Sequence, residues 1–443
     1  MKRTSKVIVN ALVMSISMTA LSSTLSATEQ SASLPPFYRS LQELKAGTML
    51  GKVIKQEKIA TTIPNAIAWR IAYNSSDLFD RPTISTALVV APAGRPPKKA
   101  RPIIAWAHGT TGTAQNCGPS QVENPAQPLS QYFLVNGNSW TDYGIPGVNV
   151  FIDKGYILVA TDYQGLGGGG KHQYVIAKTQ GRDVINSLRA VTSMKIGGDA
   201  NKSIIYGWSQ GGGAVLAAAG MPEYLSRKGT AEDQIKIAGF VAMAPQDLAV
   251  LAIDSRLDSE TADKMLNSLI ASFTDNVFNF SHLSMNLWAN SVAFPELKLT
   301  DIFTEEGAKL IDTLMQNKCV HVLSDTLNFT LGKNFKSLLK PKPDNTLAWA
   351  KALMEGSAPS EKPVAPVVIY WGDKDTVVPP AMGKAYRDKM CALGANISRI
   401  KLPGEQNHFT TPSVALPLYL KWISDRIDGA GVENGCLSGD KDQ

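Results

Sequence analysis

The sequence predicts an α/β fold in which a mostly parallel central sheet is flanked by helices and carries a helical cap. Helical stretches such as Thr179–Met194 and Gly211–Ala219 separate the predicted strands, as expected for a sheet covered by helices on both sides. From residue 246 to residue 343 this alternation stops, and the segment is mainly helical. Five runs have the continuous apolar character of parallel strands buried on both faces: PIIAWAHG, GYILVATD, SIIYGWS, IAGFVAMAP and VVIYWGD.

The N-terminus has the pattern of a secretory signal peptide, with three bases ahead of a mostly apolar stretch that closes on small residues. These are Lys2, Arg3 and Lys6, then Ser26 and Ala27. A transmembrane anchor is the competing interpretation. It is weaker because Asn10 and five serines dilute the run, which falls short of the roughly 20 strongly apolar residues that a span needs. We therefore expect cleavage near Ala27 and a secreted or periplasmic protein.

Composition argues against a nucleic-acid partner. The chain of 443 residues has 44 Lys and Arg against 38 Asp and Glu, and three of these bases leave with the predicted signal peptide. No dense basic block with interleaved aromatic residues occurs, so nothing indicates a surface that binds a phosphate backbone. The hydrophobic fraction of 44% is ample for a large core. Composition does not indicate an oligomeric state.

The chain divides into three predicted parts: a signal peptide (1–27), a catalytic α/β domain (28–245 and 344–443) and a helical cap inserted into that domain (246–343). The domain opens with three short β-rich runs typical of an antiparallel start to the sheet: Gly51–Thr61, Ile67–Tyr73 and Ile84–Val90. The cap contains eight large apolar residues that either line an acyl tunnel or form the core of a small helical subdomain. They are Phe273, Phe278, Phe280, Leu283, Met285, Leu287, Trp288 and Phe294.

The segment around Ser209 has the Gly-x-Ser-x-Gly pattern of a nucleophile elbow. A predicted buried strand, SIIY, runs directly into GWSQG at residues 207–211, and an Ala-rich helix follows. In that context the serine lies on a tight, strained turn with its hydroxyl exposed, and the glycines leave room where a Cβ would collide. The pattern predicts that Ser209 is a catalytic nucleophile.

A serine nucleophile needs a histidine to accept its proton and a carboxylate to orient that histidine. If the chain order is serine, acid, histidine, His408 is the one of five histidines that follows both a late acid and a strand-like run, Ile397–Leu402. The acid is expected just after the strand VVIYW, where Asp373 and Asp375 are the candidates. We choose Asp375, because Asp373 has the setting of a solvated or turn-capping residue.

The oxyanion hole requires two backbone donors. One is predicted to be the N–H group of Gln210, the residue after the nucleophile. The other is expected from the loop after IIAWAHG, where Thr110 is the candidate. His108, in the same segment, is predicted to pack and hydrogen-bond beneath that loop rather than to carry a proton.

A glycine run, GLGGGG at residues 165–170, formally fits the Gly-x-Gly-x-x-Gly dinucleotide fingerprint. The match is weak, because KHQYVIAK is not a clear helix start and no acid ends a second strand at the right distance. Lys171 is followed by His172 rather than by the Ser or Thr of a phosphate loop. We expect instead a flexible or tightly packed glycine loop near the site.

Four cysteines form an even set in a chain that is expected to leave the reducing cytosol, which predicts two disulfides. Three pairings are possible. We favour the local pair Cys391–Cys436, which leaves Cys117 to reach Cys319, and buried free thiols are the alternative. None of the four has the close Cys/His spacing of a zinc site.

Together and in this order, these motifs resemble the secretory lipase family of the α/β-hydrolase fold. The resemblance covers most of the mature chain. It rests on AHGTTG (107–112), ATDYQGLG (160–167), GRDVINSLRA (181–190), GWSQGG (207–212), AMAPQDL, GDKDTVVP and NHF. The spacing Gly-x-x-Asp-x-x-Val resembles the acid turn common among α/β-hydrolases and supports Asp375. Ser209, Asp375 and His408 fall on the family's catalytic positions, and Thr110 and Gln210 fall on its oxyanion donors.

The resemblance implies hydrolysis of triacylglycerol or of simpler carboxylic esters through an acyl-enzyme, with no metal and no organic cofactor. It also implies a helical cap over an acyl tunnel. The expected partner is a small-molecule or lipid ester, with transient contact to a lipid–water interface and no nucleic acid. Two alternatives stay open on the same fold: a serine peptidase or acyltransferase, and an inactive hydrolase-like binding protein.

Overall fold

The computed structural model describes residues 34–98, 100–122, 125–126, 144–230, 235–248, 257–438 and 441–442. Within these ranges ten strands form one sheet. They are β1 (Val53–Ile59), β2 (Ala66–Ser76), β3 (Pro82–Pro92), β4 (Arg101–Ala107), β5 (Ile157–Gln164), β6 (Gly198–Trp208), β7 (Ile237–Met243), β8 (Val367–Trp371), β9 (Ile397–Lys401) and β10 (Lys441–Asp442). Their spatial order is β1-β2-β3-β5-β4-β6-β7-β8-β9-β10.

The direction of strand pairing changes once along the sheet. Strands β1, β2, β3 and β5 pair antiparallel. From β5 onward every pair is parallel, through β4, β6, β7, β8 and β9 to β10. The predicted antiparallel opening and the mostly parallel sheet are both confirmed. Because the carboxyl ends of parallel strands meet at one edge, the loops after β4, β6, β8 and β9 lie together there.

The described α-helices cover the sheet and build the cap. They are α1 (Pro36–Arg39), α2 (Val148–Asp153), α3 (Ala177–Ser193), α4 (Gln210–Ala219), α5 (Pro222–Ser226), α6 (Ser259–Ser272), α7 (Val277–Ala293), α8 (Glu305–Asn317), α9 (Val320–Leu331), α10 (Thr346–Gly356), α11 (Pro380–Ala392), α12 (Thr411–Ile427) and α13 (Gly435–Ser438).

Strand β4 shows why its sequence is apolar throughout. Ile103, Ala105 and Ala107 belong to the core beneath α3 and α4, whereas Ile104 and Trp106 belong to the core that α2 and α12 cover. Successive side chains of a strand point to opposite faces, so a strand with a hydrophobic core on both sides cannot alternate apolar with polar residues. The α/β fold class is thereby confirmed.

Helices α6 to α10 form a separate hydrophobic cluster above the carboxyl edge of the sheet. Side chains cap three of these helices, since Asp258, Asn276 and Thr304 accept the N–H groups of Thr261, Asn279 and Gly307. The last helix, α10, packs on α6 and extends the helical layer beyond residue 343. The boundaries 246 and 343 of the cap stay a prediction.

Both disulfides form in the favoured pairing, Cys117–Cys319 and Cys391–Cys436. The second disulfide is accompanied by backbone contacts of the C-terminal segment. The Gly435 N–H donates to Asn396 Oδ1 at 3.0 Å, and β10 adds a short parallel strand to β9. The disulfide and these backbone contacts fix the segment to the edge of the sheet.

The first disulfide joins the loop after β4 to the cap. Beside it the Val320 N–H donates to the Thr111 carbonyl at 3.0 Å, and the Thr113 hydroxyl donates to the Met315 carbonyl at 2.6 Å. The loop between β4 and Cys117 is therefore held to the cap by the disulfide and by these hydrogen bonds.

The predicted signal peptide, residues 1–27, lies outside the described residues. Within the described part of the chain, no helix combines the length and the hydropathy needed to cross a membrane.

Candidate active site

Ser209 lies at the turn between β6 and α4. Its backbone has φ 60° and ψ −119°, a conformation that costs a residue with a side chain roughly 1–3 kcal/mol. Hydrogen bonds on both sides hold the turn. The Ser209 N–H donates to the Met243 carbonyl at 2.9 Å, and the Ser209 carbonyl accepts the Gly213 N–H at 3.1 Å. The predicted elbow geometry is present.

Gly211 shows why the turn needs glycine. A Cβ built at Gly211 would lie 1.9 Å from the Ala107 carbonyl oxygen and 2.6 Å from that of His108. Helix α4 therefore packs directly on the backbone at the end of β4. This contact brings the elbow and the loop that carries Thr110 next to each other.

His408 lies between Ser209 and Asp375 in a continuous hydrogen-bonded chain. His408 Nε2 is 2.8 Å from Ser209 Oγ, and His408 Nδ1 is 2.8 Å from Asp375 Oδ2. The His408 and Asp375 side chains are 3% and 2% exposed. In the neutral ring, a proton on Nδ1 held by the carboxylate leaves Nε2 free to accept the Ser209 proton. The structure thus brings together all three residues predicted as a triad.

The two candidate acids differ sharply in their surroundings. Asp375 Oδ1 accepts the N–H groups of Val377 at 3.0 Å and Val378 at 2.8 Å, so this carboxylate is fixed by its own turn. Asp373 forms an ion pair with Lys401 at 3.5 Å, and its side chain is 32% exposed. The acid turn therefore directs Asp375, and not Asp373, at the histidine.

Trp208 supports the position of His408. Its indole Nε1–H donates to the His408 carbonyl at 3.1 Å, and the two rings lie 4.8 Å apart. Because Trp208 precedes the elbow serine, the loop of the histidine is tied to the same turn as Ser209.

The loop after β4 rests on a buried histidine, as predicted. His108 Nδ1 lies 2.6 Å from the Gly109 carbonyl, and the Tyr163 hydroxyl donates to the His108 carbonyl at 2.9 Å. Burial lowers the pKa of His108 to about 4, so the ring is neutral near pH 7. Thr110 follows, and its hydroxyl lies 2.8 Å from the Tyr174 hydroxyl.

Below this loop lies Asp162, a buried carboxylate that the sequence did not single out. It accepts the Ser120 N–H at 2.9 Å and the Thr86 hydroxyl at 2.7 Å, and it also contacts the Ser120 hydroxyl. Burial raises the pKa of Asp162 to about 6, and the hydrogen bonds only partly offset that rise. Because Asp162 lies beneath the loop after β4, its hydrogen bonds support that loop.

Gln210 is the first residue of α4, so its backbone N–H has no acceptor within the helix. The side chain of Gln210 is held separately. Its Nε2 lies 3.3 Å from His172 Nε2, while His172 Nδ1 lies 2.7 Å from the Gln164 carbonyl. This role of His172 was not predicted, because nothing in the sequence around residue 172 indicates that it meets the Gln210 side chain.

The glycine run 165–170 forms a tightly packed turn that delivers His172 to this position. Gly165 has φ 82°, and a Cβ there would lie 2.3 Å from the His172 backbone nitrogen. The run therefore lies near the site as a tightly packed loop, which is one of the two forms expected from the sequence; the other was a flexible loop.

A pocket with a cavity volume of about 40 Å³ lies beside Ser209, between the elbow, the acid turn and the cap. Its apolar wall comes from Val175, Leu248, Leu269, Phe273, Leu283, Val377, Val378 and Met382, and its polar lining comes from Tyr174, Ser209, Gln210, Gln246, His282 and Asn286. Of the eight cap residues proposed for a tunnel, Phe273 and Leu283 line this pocket. Phe280, Met285, Leu287 and Trp288 are buried in the cap core.

Within the described ranges, no group of three or more His, Cys, Asp or Glu side chains is arranged to hold a metal ion.

The sheet order and the serine at the carboxyl end of β6 define the class of the protein, an α/β-hydrolase. Solved structures share this fold. Candida antarctica lipase A in its closed state superposes with a TM-score of 0.70 at 18% identity, over 93% of this chain and 90% of that one. The rice cell wall degrading esterase LipA from Xanthomonas oryzae superposes with a TM-score of 0.58 at 16% identity, over 85% and 97% of the two chains.

Residues 139–435 match the secretory lipase family, and the chain belongs to that family. The protein is therefore a carboxylic ester hydrolase. Curated relatives include Lipase 9 of Candida albicans, 25% identical over 91% of this chain and 84% of that one. Another is the secreted triacylglycerol lipase LIP4 of Malassezia globosa, 24% identical over 90% and 82% of the two chains.

Proposed function

We propose that this protein is a secreted lipase or esterase that cleaves acyl esters through a covalent acyl-enzyme on Ser209. One observation carries the proposal: His408 joins Ser209 Oγ to the Asp375 carboxylate through two hydrogen bonds of 2.8 Å, next to a mostly apolar pocket. A histidine held in this tautomer can accept the serine proton, which serine alone cannot release near neutral pH.

In the first half of the reaction, Ser209 Oγ attacks the ester carbonyl carbon while its proton passes to His408 Nε2. The carbonyl oxygen becomes an oxyanion that accepts the backbone N–H groups of Gln210 and Thr110. When the intermediate collapses, the bond to the alcohol oxygen breaks, and His408 returns its proton to that oxygen. Asp375 stabilises the charged imidazole throughout.

In the second half, water replaces the alcohol. His408 takes a proton from water as the water oxygen attacks the acyl carbon, and the bond from Ser209 Oγ to that carbon breaks as the proton returns to the serine. The products are the free acid and the original enzyme. The mostly apolar wall of the pocket supports an acyl chain as the group that binds there.

Secretion is supported by the family, by the name of the Malassezia globosa relative, and by two disulfides of the kind that persist outside the reducing cytosol. Triacylglycerol is the substrate named for that relative. For this chain, we propose acyl esters with triacylglycerol among them.

The test is the initial rate against p-nitrophenyl esters from acetyl to palmitoyl and against emulsified triacylglycerol. We expect Ser209→Ala to abolish turnover while the fold survives. Ser203→Ala is a matched control, because Ser203 is buried in β6, the strand that leads into the elbow, and its hydroxyl donates to the Ala200 carbonyl. Full activity in Ser209→Ala would overturn the proposal. Faster turnover of matched amides than of esters would favour a peptidase instead.

A further inference from the structure

The pocket beside Ser209 contains hydrogen-bond acceptors that the proposed triad does not use. Gln210 and Asn286 are 2% and 5% exposed, and both line the pocket. Among the residues that the structure describes, neither Gln210 Oε1 nor Asn286 Oδ1 has a hydrogen-bond partner. Buried polar atoms are nearly always paired, so two unpaired oxygens in one pocket indicate a missing donor.

The tautomer of His172 fixes which end of the Gln210 amide is unpaired. His172 Nδ1 lies 2.7 Å from the Gln164 carbonyl, which can only accept, so Nδ1 carries the proton. His172 Nε2 is then an acceptor, and Gln210 Nε2 must donate to it across 3.3 Å. This leaves the Gln210 carbonyl oxygen as the free group. Burial lowers the pKa of His172 to about 3, so this arrangement holds at neutral pH.

His282 adds a third acceptor to the same lining. Its Nδ1 lies 2.8 Å from the Phe278 carbonyl one turn earlier in α7 and therefore carries the ring proton. Burial lowers the pKa of His282 to about 4, so the ring is neutral and its Nε2 is an acceptor. All three groups are uncharged acceptors, and the two amide oxygens are the ones without a donor among the described residues.

We propose that this pocket binds a neutral hydroxyl group carried by the ester substrate, which shares its single hydrogen between the amide oxygens of Gln210 and Asn286 in a bifurcated hydrogen bond. The inference rests on the proposed function, because the substrate is taken to be an ester. The hydroxyl belongs either to the alcohol part, as in a partial glyceride, or to the acyl part, as in a hydroxy acid. In either case an ester without it leaves the two oxygens buried and unpaired, and the enzyme discriminates against such an ester.

Two substrate pairs distinguish the two sources. Monobutyrylglycerol and propyl butyrate differ in the hydroxyl groups of the alcohol part. Methyl 3-hydroxybutanoate and methyl butanoate differ in one hydroxyl group of the acyl part. We expect one pair to show a preference in kcat/KM for the hydroxylated ester of about tenfold, the usual worth of one hydrogen bond. Equal kcat/KM within both pairs would overturn the inference.

The variant Asn286→Leu replaces an unpaired amide by hydrocarbon of similar size. We expect it to raise kcat/KM for the hydroxyl-free ester and to lower it for the hydroxylated one, so that the preference collapses. Asn290→Leu is the matched control. Asn290 lies one turn later in α7, is 1% exposed and also has an unpaired Oδ1 among the described residues, but it does not line the pocket.

A preference that survives in Asn286→Leu, or one that collapses equally in Asn290→Leu, would overturn the role of the amide. The wild-type ratios test the inference even if the variant does not fold. If wild type hydrolyses none of the four esters, or if Ser209→Ala hydrolyses them as wild type does, the proposed function itself has failed. Normal hydrolysis with no preference would instead refute the inference alone.

Discussion

The contact at Gly211 makes a quantitative prediction about the elbow. In Gly211→Ala the new Cβ would lie 1.9 Å from the Ala107 carbonyl oxygen, whereas ordinary contacts begin at 3.4 Å. Both sides of this contact are backbone, so α4 and the end of β4 must separate by about 1.5 Å, the difference between these distances. That motion pulls the Gln210 N–H away from the loop of Thr110. A misplacement of about 1 Å costs about a hundredfold in rate, or about 2.7 kcal/mol in activation free energy.

We therefore expect Gly211→Ala to lower kcat/KM for p-nitrophenyl butyrate at least about a hundredfold. Overpacking should also lower the free energy of unfolding by about 1–3 kcal/mol, measured as a lower Tm. Gly431→Ala is the control, because a Cβ there meets nothing within 4 Å. Wild-type kcat/KM together with wild-type Tm in Gly211→Ala would refute the reasoning that close backbone packing aligns the two proposed oxyanion donors.

Three further predictions follow from the same geometry. Asp375→Asn should lower kcat roughly 10⁴-fold by favouring the wrong tautomer of the histidine, whereas Asp373→Asn should keep near wild-type kcat; similar losses in both variants would contradict the assignment. The pKa of Asp162 rises on folding from 3.8 to about 6, so the contribution of Asp162 to the free energy of unfolding should fall by roughly 3 kcal/mol as pH rises through this window, with Asp183 adding a change of the same sign. Denaturant titrations from pH 4 to 7 measure how the free energy of unfolding changes with pH, and this change should be smaller in Asp162→Asn. An unchanged pH dependence in that variant would contradict the raised pKa of the buried Asp162. Replacing Cys117 and Cys319 by Ala should lower the free energy of unfolding by about 5 kcal/mol, because this disulfide closes a loop of 202 residues in the unfolded chain. Loss of the C-terminal disulfide, which spans 45 residues, should lower it by less. An equal or larger drop in Tm on losing the C-terminal disulfide would contradict that estimate.

Local patterns predicted most of the proposed catalytic constellation. Ser209 was identifiable because strand, turn and helix are consecutive in the sequence, and a tight turn between them requires glycine at defined positions. Asp375 and His408 were identifiable because parallel strands deliver their following loops to one edge of the sheet. Each of these inferences depends on a few neighbouring residues and on one rule of sheet topology.

The polar lining of the pocket could not be predicted in the same way. Asn286 and His282 line the same pocket as Gln210 because the cap folds over the elbow, and no periodicity within α7 distinguishes them from other buried polar residues of that helix.

The Cys117–Cys319 disulfide constrains how substrate can enter. It fastens the start of α9 to the loop after β4, and the hydrogen bonds of Thr111 and Thr113 reinforce the same seam. If the cap rotated away from the sheet as a rigid body, it would displace this loop and separate the two donors of the proposed oxyanion hole. Entry that leaves the site intact therefore requires cap helices to move relative to one another, with the seam at Cys319 serving as the stationary side of the opening.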